Sequence, residues 1–150
     1  VRFRYWLVVG GIIILVWIHR ANYNLRQIGV KNMNFTPGWS VGWYFVPIAN
    51  LWKPFQSMKE IWNVSHSFSG AVPSNILNLW WALWIGSYSL TQYVTKKIDQ
   101  AEEIHEMKDA NLLSSCHDLI WIPLCFVFLK MVNVIHSAQM KKFNEGQQSP

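Results

Sequence analysis

The chain has 150 residues, 51% hydrophobic and only 14% charged, where soluble domains carry about 25% charged residues. That deficit, with ten tryptophans, points to lipid, because Trp favours the membrane–water boundary. The net charge of +5 comes without a dense Lys/Arg run, which argues against nucleic acid as partner.

The first apolar stretch is Phe3–Ile18, uncharged after Arg4. Its core, Tyr5–Ile18, is short for a span, but it ends in Trp17-Ile18-His19-Arg20 with no small-residue cleavage site. A retained helix is therefore expected rather than a signal peptide, with Arg2 and Arg4 snorkelling. Gly10-Gly11 reads as a close-packing site between helices. His19–Gly29 continues the helix as an amphipathic tail, and Gly29 is its expected stop.

The second stretch, Phe35–Trp52, is apolar but interrupted by Pro37, Gly38, Gly42 and Pro47, with Pro54 just beyond it. Such a segment is a poor helix, and in a bilayer it is tolerated only where protein or a wet cavity satisfies its backbone. Pro54–Val64 begins with a proline suited to a first helical turn. It carries Phe55, Met58, Ile61 and Trp62 on one side, the pattern of an in-plane interfacial helix. Ser65–Ser74 reads as a loop.

The third stretch, Asn75–Val94, is free of charge and holds Trp80, Trp81 and Trp84. It is the cleanest expected span. Thr95–Ala110 is an acidic, lysine-containing connection whose Ile98, Ala101, Ile104 and Met107 predict a helix. The fourth stretch, Leu112–Ile135, contains Asp118, Pro123 and Lys130, and Pro123 is expected to kink it. The reading is one membrane-embedded helical domain over 1–140, followed by a polar, disordered tail over 141–150.

Charge placement bears on topology. If Phe35–Trp52 dips in and returns, Arg20, Arg26, Lys31, Lys53 and Lys59 share one face with Lys141 and Lys142. If it crosses, those cations are divided. The re-entrant version separates them more cleanly. The expected fold is thus an all-α integral membrane protein with three transmembrane helices, a Pro/Gly-broken re-entrant segment and an interfacial amphipathic helix.

Trp17, Arg20, Asn24, Leu25 and Gly29 form W-x-x-R-x-x-x-N-L-x-x-x-G. They are followed by Pro37-Gly38-Trp39, Gly42-Trp43, Phe45-Val46-Pro47-Ile48-Ala49-Asn50-Leu51, Pro54, Glu60-Ile61-Trp62 and Trp80-Trp81. From about Trp17 to Trp84 this resembles the bacterial domain-of-unknown-function family numbered 4328, a group of small multi-pass membrane proteins. The resemblance implies a bacterial inner-membrane location and a helical architecture. It implies no activity.

Arg20, Asn24, Asn50 and Glu60 form a candidate polar site near one membrane face. Arg20 and Asn24 lie one helical turn apart, and Glu60, the sole acidic residue before Asp99, is the natural partner for Arg20. The bland reading is a buried pair with amides capping the broken helix; the functional one is a pocket for a headgroup or small anion. His19 and His136 end the first and last spans and are the weak candidates for a metal or haem site, although no HxxxH or HExxH spacing exists. Cys116 and Cys125 lie on opposite faces of one helix and read as small buried hydrophobes. His117 beside Asp118 reads as solvated interface. No GxSxG, Walker A or dinucleotide fingerprint occurs. These observations favour a small scaffold or accessory subunit that binds other membrane proteins or itself in the bilayer, without a cofactor. The alternative is lipid or small-solute binding at residues 35–62, and an enzyme comes third.

Overall fold

The computed structural model describes the backbone of residues 2–68, 75–100 and 104–148, and side chains over 8–68, 75–97 and 119–147. The described elements are helical, with no strand among the described residues. They are α1 (Arg2–Gln27), α2 (Pro37–Gly42), α3 (Lys53–His66), α4 (Asn75–Gln100) and α5 (Ile104–Gln148), with single-turn 3₁₀ helices at Trp43–Phe45 and Ala49–Leu51. The chain divides into two compact units, Val1–Val72 with Asn133–Pro150, and Pro73–Val132.

In the first unit α1 stops where expected. Gly29 has φ 101°, its N–H donates to Arg26 O, and Val30 N–H donates to Leu25 O (3.1 Å each). That pair of bonds is a Schellman motif, and its left-handed residue favours glycine. Thr36 then starts α2: its hydroxyl accepts from Trp39 N at 3.3 Å, with Pro37 in the first turn, the position where a missing N–H costs nothing. The core is a stripe from each helix. Ile18, Ala21, Asn22 and Leu25 of α1 are buried, as are Met58, Ile61, Trp62, Ser65 and His66 of α3, both at the spacing that keeps one helix face.

Two expectations for this unit change. The apolar face of α3 is not free to lie in the lipid boundary, because Met58, Ile61 and Trp62 are at most 1% exposed; an amphipathic stripe cannot say whether lipid or protein will cover it. Nor do Gly10 and Gly11 mark a close approach, since a Cβ added at either meets nothing within 4 Å among the described residues.

In the second unit Leu77, Trp80, Ser87 and Val94 of α4 and Leu124, Phe128 and Met131 of α5 are buried. The Trp80 and Phe128 rings lie 6.2 Å apart. Helix α5 runs unbroken through Pro123. It continues to Gln148, into the segment from Lys141 that was expected to be a disordered tail; Lys141, Lys142, Glu145 and Gln147 are good helix formers, and the Lys142 ammonium sits 6.0 Å from the Phe68 ring centre.

Among the described residues two helical segments are long and apolar enough to cross a membrane, Val8–Gln27 and Leu119–Gln147, and only 22% of each window is buried. The core helix of a soluble protein would be mostly covered. Instead Val8, Ile12, Ile13 and Val16 of α1, and Leu119, Ile122, Phe126 and Leu129 of α5, are 52–74% exposed. Helix α4, expected as the cleanest span, is long enough at 26 residues but is not among them. Its Asn78, Ser87, Ser89, Thr91 and Gln92, and the polar edges of its Trp and Tyr rings, lower its hydropathy. The residues Cys116, His117 and Asp118, and the 69–74 part of the expected loop, lie outside the described side chains.

Candidate functional site

The broken segment is held from two sides by polar side chains. From α1, Asn22 is fully buried, and its Nδ2 donates to Phe35 O (2.9 Å) and to Ser40 Oγ (2.8 Å). Ser40 Oγ donates onward to Thr36 O at 3.0 Å. Arg26, one turn along, donates from Nε to Asn22 Oδ1 (3.4 Å) and from Nη2 to Met33 O (3.4 Å) and Phe35 O (3.2 Å). A guanidinium at the carboxyl end of α1 also complements the helix dipole. From α3, Glu60 accepts from Asn34 N (2.6 Å), Asn34 Nδ2 (2.8 Å) and Phe35 N (3.0 Å). The backbone of residues 33–35 is thereby clamped between an arginine that donates to its carbonyls and a glutamate that accepts from its N–H groups.

Beyond the clamp the chain exposes apolar surface. Trp39, Phe45, Ile48, Leu51 and Trp52 are 43–73% exposed. The Trp39 ring lies 4.7 Å from that of Trp43 and covers Gly42 so closely that a Cβ there would meet it at 3.1 Å. At the tip, Ala49 N–H donates to Pro47 O at 2.8 Å across Ile48, whose φ is 67° and ψ −57°. This is the positive-φ γ-turn, a rare and strained one, and for a β-branched residue it costs on the order of 1–3 kcal/mol. Ile48 is 73% exposed, so burial does not offset that strain.

Beside the clamp an open cleft of about 540 Å³ is lined by Asn34, Lys53, Gln56, Lys59, Glu60 and Asn63, among others. The Lys53 ammonium lies 5.7 Å from the Phe35 ring centre and 5.5 Å from that of Trp43.

Of the residues singled out by sequence, Glu60 belongs to this arrangement, but its partners are Asn34 and Phe35 in place of Arg20. Arg20 and Asn24 are exposed. Asn50 is half-buried, and its Oδ1 is buried without a hydrogen-bond partner among the described residues. The structure brings neither Arg20 nor Asn50 into a bond with Glu60. The residues that do converge, Asn22 and Arg26, have the same one-turn spacing as Arg20 and Asn24. They were distinguishable: Ile18, Ala21 and Leu25 mark an apolar face of α1, position 22 falls on that face, and residues 20 and 24 fall off it. His19 and His136 are both exposed, and no group of three His, Cys, Asp or Glu that could hold a metal occurs among the described residues.

The model of the family described as a domain of unknown function (DUF4328) matches residues 4–137. The chain belongs to the DUF4328 family. The match extends past the Trp17–Trp84 stretch that carries the motif string, into α5. Neither the curated proteins nor the solved structures yield a match.

Proposed function

We propose that this DUF4328 protein is a multi-pass membrane protein whose segment 37–52 re-enters the bilayer from the lysine-bearing face and binds lipid there. The observation that carries this reading is the two-sidedness of the segment. Its anchoring end is tied by Asn22, Arg26 and Glu60, while Trp39, Phe45, Ile48, Leu51 and Trp52 stay exposed. Clustered large apolar side chains on an irregular backbone are a liability in water. At the acyl–headgroup boundary they are in a favourable place, and Trp suits that depth. Lys53 and Lys59 then lie at the level of the headgroups, and α1 and α5 anchor the chain.

The test is a depth measurement at Ile48. In a background with Cys116→Ser and Cys125→Ser, Ile48→Cys and Asn63→Cys are each labelled with an environment-sensitive fluorophore and reconstituted in vesicles. Brominated acyl chains should quench the label at 48 and leave that at 63 unaffected. A label at 48 quenched only by aqueous iodide would overturn the re-entrant reading.

A second reading, an accessory subunit that docks other membrane proteins, draws on α4. Trp81 and Trp84 stack at 4.7 Å and 10°, and Trp84 and Tyr88 at 5.9 Å and 7°, an aromatic ladder along one side of the helix. Native mass spectrometry giving a lone monomer, with no crosslinked partner in cells, would count against it.

A further inference from the structure

We infer that the cleft bounded by Lys53, Lys59 and the amides of Gln56 and Asn63 is a binding site for a phosphate group, the headgroup phosphate of an anionic lipid being the occupant that its surroundings favour. This rests on the lipid-binding reading above and gives it a place and a chemical class.

The buried face of α3 leaves the opposite face free, and residues 53, 56, 59, 60 and 63 recur along that side at three- and four-residue steps. They bring two ammonium groups, two side-chain amides and one carboxylate to a common wall. The carboxylate does not neutralise the ammonium groups by contact: Glu60 accepts three N–H bonds from Asn34 and Phe35. Neither Lys53 nor Lys59 makes an ion pair among the described residues. Lys53 is instead held over the Phe35 and Trp43 rings, a contact that fixes the cation while leaving its N–H groups free to donate. The first turn of α3 holds no acidic residue, so the positive end of its dipole adds to the lysines.

The cleft is therefore rich in donors, positive at its rim and large enough for one headgroup. Its walls combine the polar side chains of α3 with apolar surface from Phe35 and Val64, and the exposed apolar side chains Leu51 and Trp52 directly precede Lys53 in the chain. A phosphodiester with an apolar tail meets both halves of that surface. A free phosphate would use the donors alone.

The test uses the full chain purified in detergent and placed in nanodiscs of phosphatidylcholine with a minor fraction of phosphatidylglycerol. Native mass spectrometry counts the phosphatidylglycerol molecules that remain bound. The wild type should retain this lipid in excess of its share. In Lys53→Gln/Lys59→Gln the preference should fall about thirty-fold, roughly fivefold for each lysine beside an anionic group. The charge-keeping Lys53→Arg/Lys59→Arg should retain it, and so should Lys96→Gln/Lys97→Gln on α4. Phosphatidylglycerol retention that inorganic phosphate does not displace identifies the lipid as source. Displacement of a phosphorus-31 signal from inorganic phosphate, without lipid preference, identifies free phosphate. A wild type that binds neither, or a double glutamine variant that binds as the wild type does, overturns the site. If the Arg pair also fails, the loss reflects folding, and the wild-type comparison between phosphatidylcholine alone and the mixture then decides. The label at 48 separates the two proposals: a quenched label with no phosphate preference removes the cleft and leaves the membrane reading standing.

Discussion

Removing the Glu60 carboxylate tests the clamp directly. The carboxylate accepts three N–H bonds at 2.6–3.0 Å, and bonds to a charged acceptor contribute about 1.5–3 kcal/mol each. They do not add in full. Two of the three come from Asn34, which is exposed, so water replaces the acceptor there at little cost. The third comes from the backbone of half-buried Phe35, where the N–H is left poorly solvated. Glu60→Ala should therefore destabilise the protein by about 2 kcal/mol, which for a chain of this size is a fall of roughly 4–8 °C in the melting temperature. Glu60→Gln keeps one acceptor oxygen and should lose about half as much. Thermal melting of the detergent-purified protein reads both, and hydrogen exchange at residues 34 and 35 should accelerate. Arg20 adds a second arm. Because it is not the partner of Glu60, Arg20→Gln combined with Glu60→Gln should give the sum of the single losses. Glu60→Ala melting within about 0.5 kcal/mol of wild type, or strong coupling between residues 20 and 60, would refute the clamp.

Ser57 gives a prediction of opposite sign. Its Oγ is buried without a hydrogen-bond partner among the described residues, so Ser57→Ala should be neutral or raise stability by up to about 1 kcal/mol. A loss larger than that would mean that the hydroxyl holds a partner of its own. Gly29→Ala forces a Cβ into φ 101° and should cost about 1 kcal/mol while leaving the position otherwise unobstructed, since nothing lies within 4 Å. An unchanged melting temperature would show that the end of α1 can rearrange.

Much of the local structure was legible because it depends on short-range rules. Gly29 ends α1 and Pro54 sits in the first turn of α3 for reasons contained in a few neighbouring residues. The break at 35–52 follows in the same way from its prolines and glycines. What was not legible depends on which face meets what. The stripe Met58, Ile61 and Trp62 was read correctly as one face, but periodicity carries no information on whether lipid or protein covers it. The same limit applied to the polar site. Two arginine–asparagine pairs with equivalent spacing lie on α1, and only the apolar positions between them show that Asn22 faces inward. Arg26 then follows, because a cation at the end of a helix can reach back to carbonyls of the next segment. Pro123 lies inside α5, which continues on both sides of it; its neighbours Ile122, Phe126 and Val127 are only middling helix formers, so the continuity of this helix was not legible from local preference.

The partners of the clamp bear on where the segment sits. Phe35 O receives two bonds, from Asn22 and Arg26, and Phe35 N–H goes to Glu60. Asn22 and Ser40 are fully buried. In an aqueous loop water would satisfy such backbone groups without two ionised side chains and a buried amide being committed to them. Where water is scarce, irregular backbone must draw its partners from the protein. At the base of the segment the protein supplies those partners for half-buried Phe35, while Asn34 beside it is open to water, and the side chains that remain exposed beyond it are apolar, from Trp39 to Trp52. The strained turn at Ile48 belongs to the same logic. An Ile at positive φ costs stability in the isolated protein, and glycine would relieve it. Its exposed side chain has no packing in the chain to compensate. In the proposed re-entrant arrangement, burial in acyl chains would give that residue what the fold does not return to it, so an Ile48→Gly variant should gain stability in detergent-free solution and lose the quenching by brominated chains.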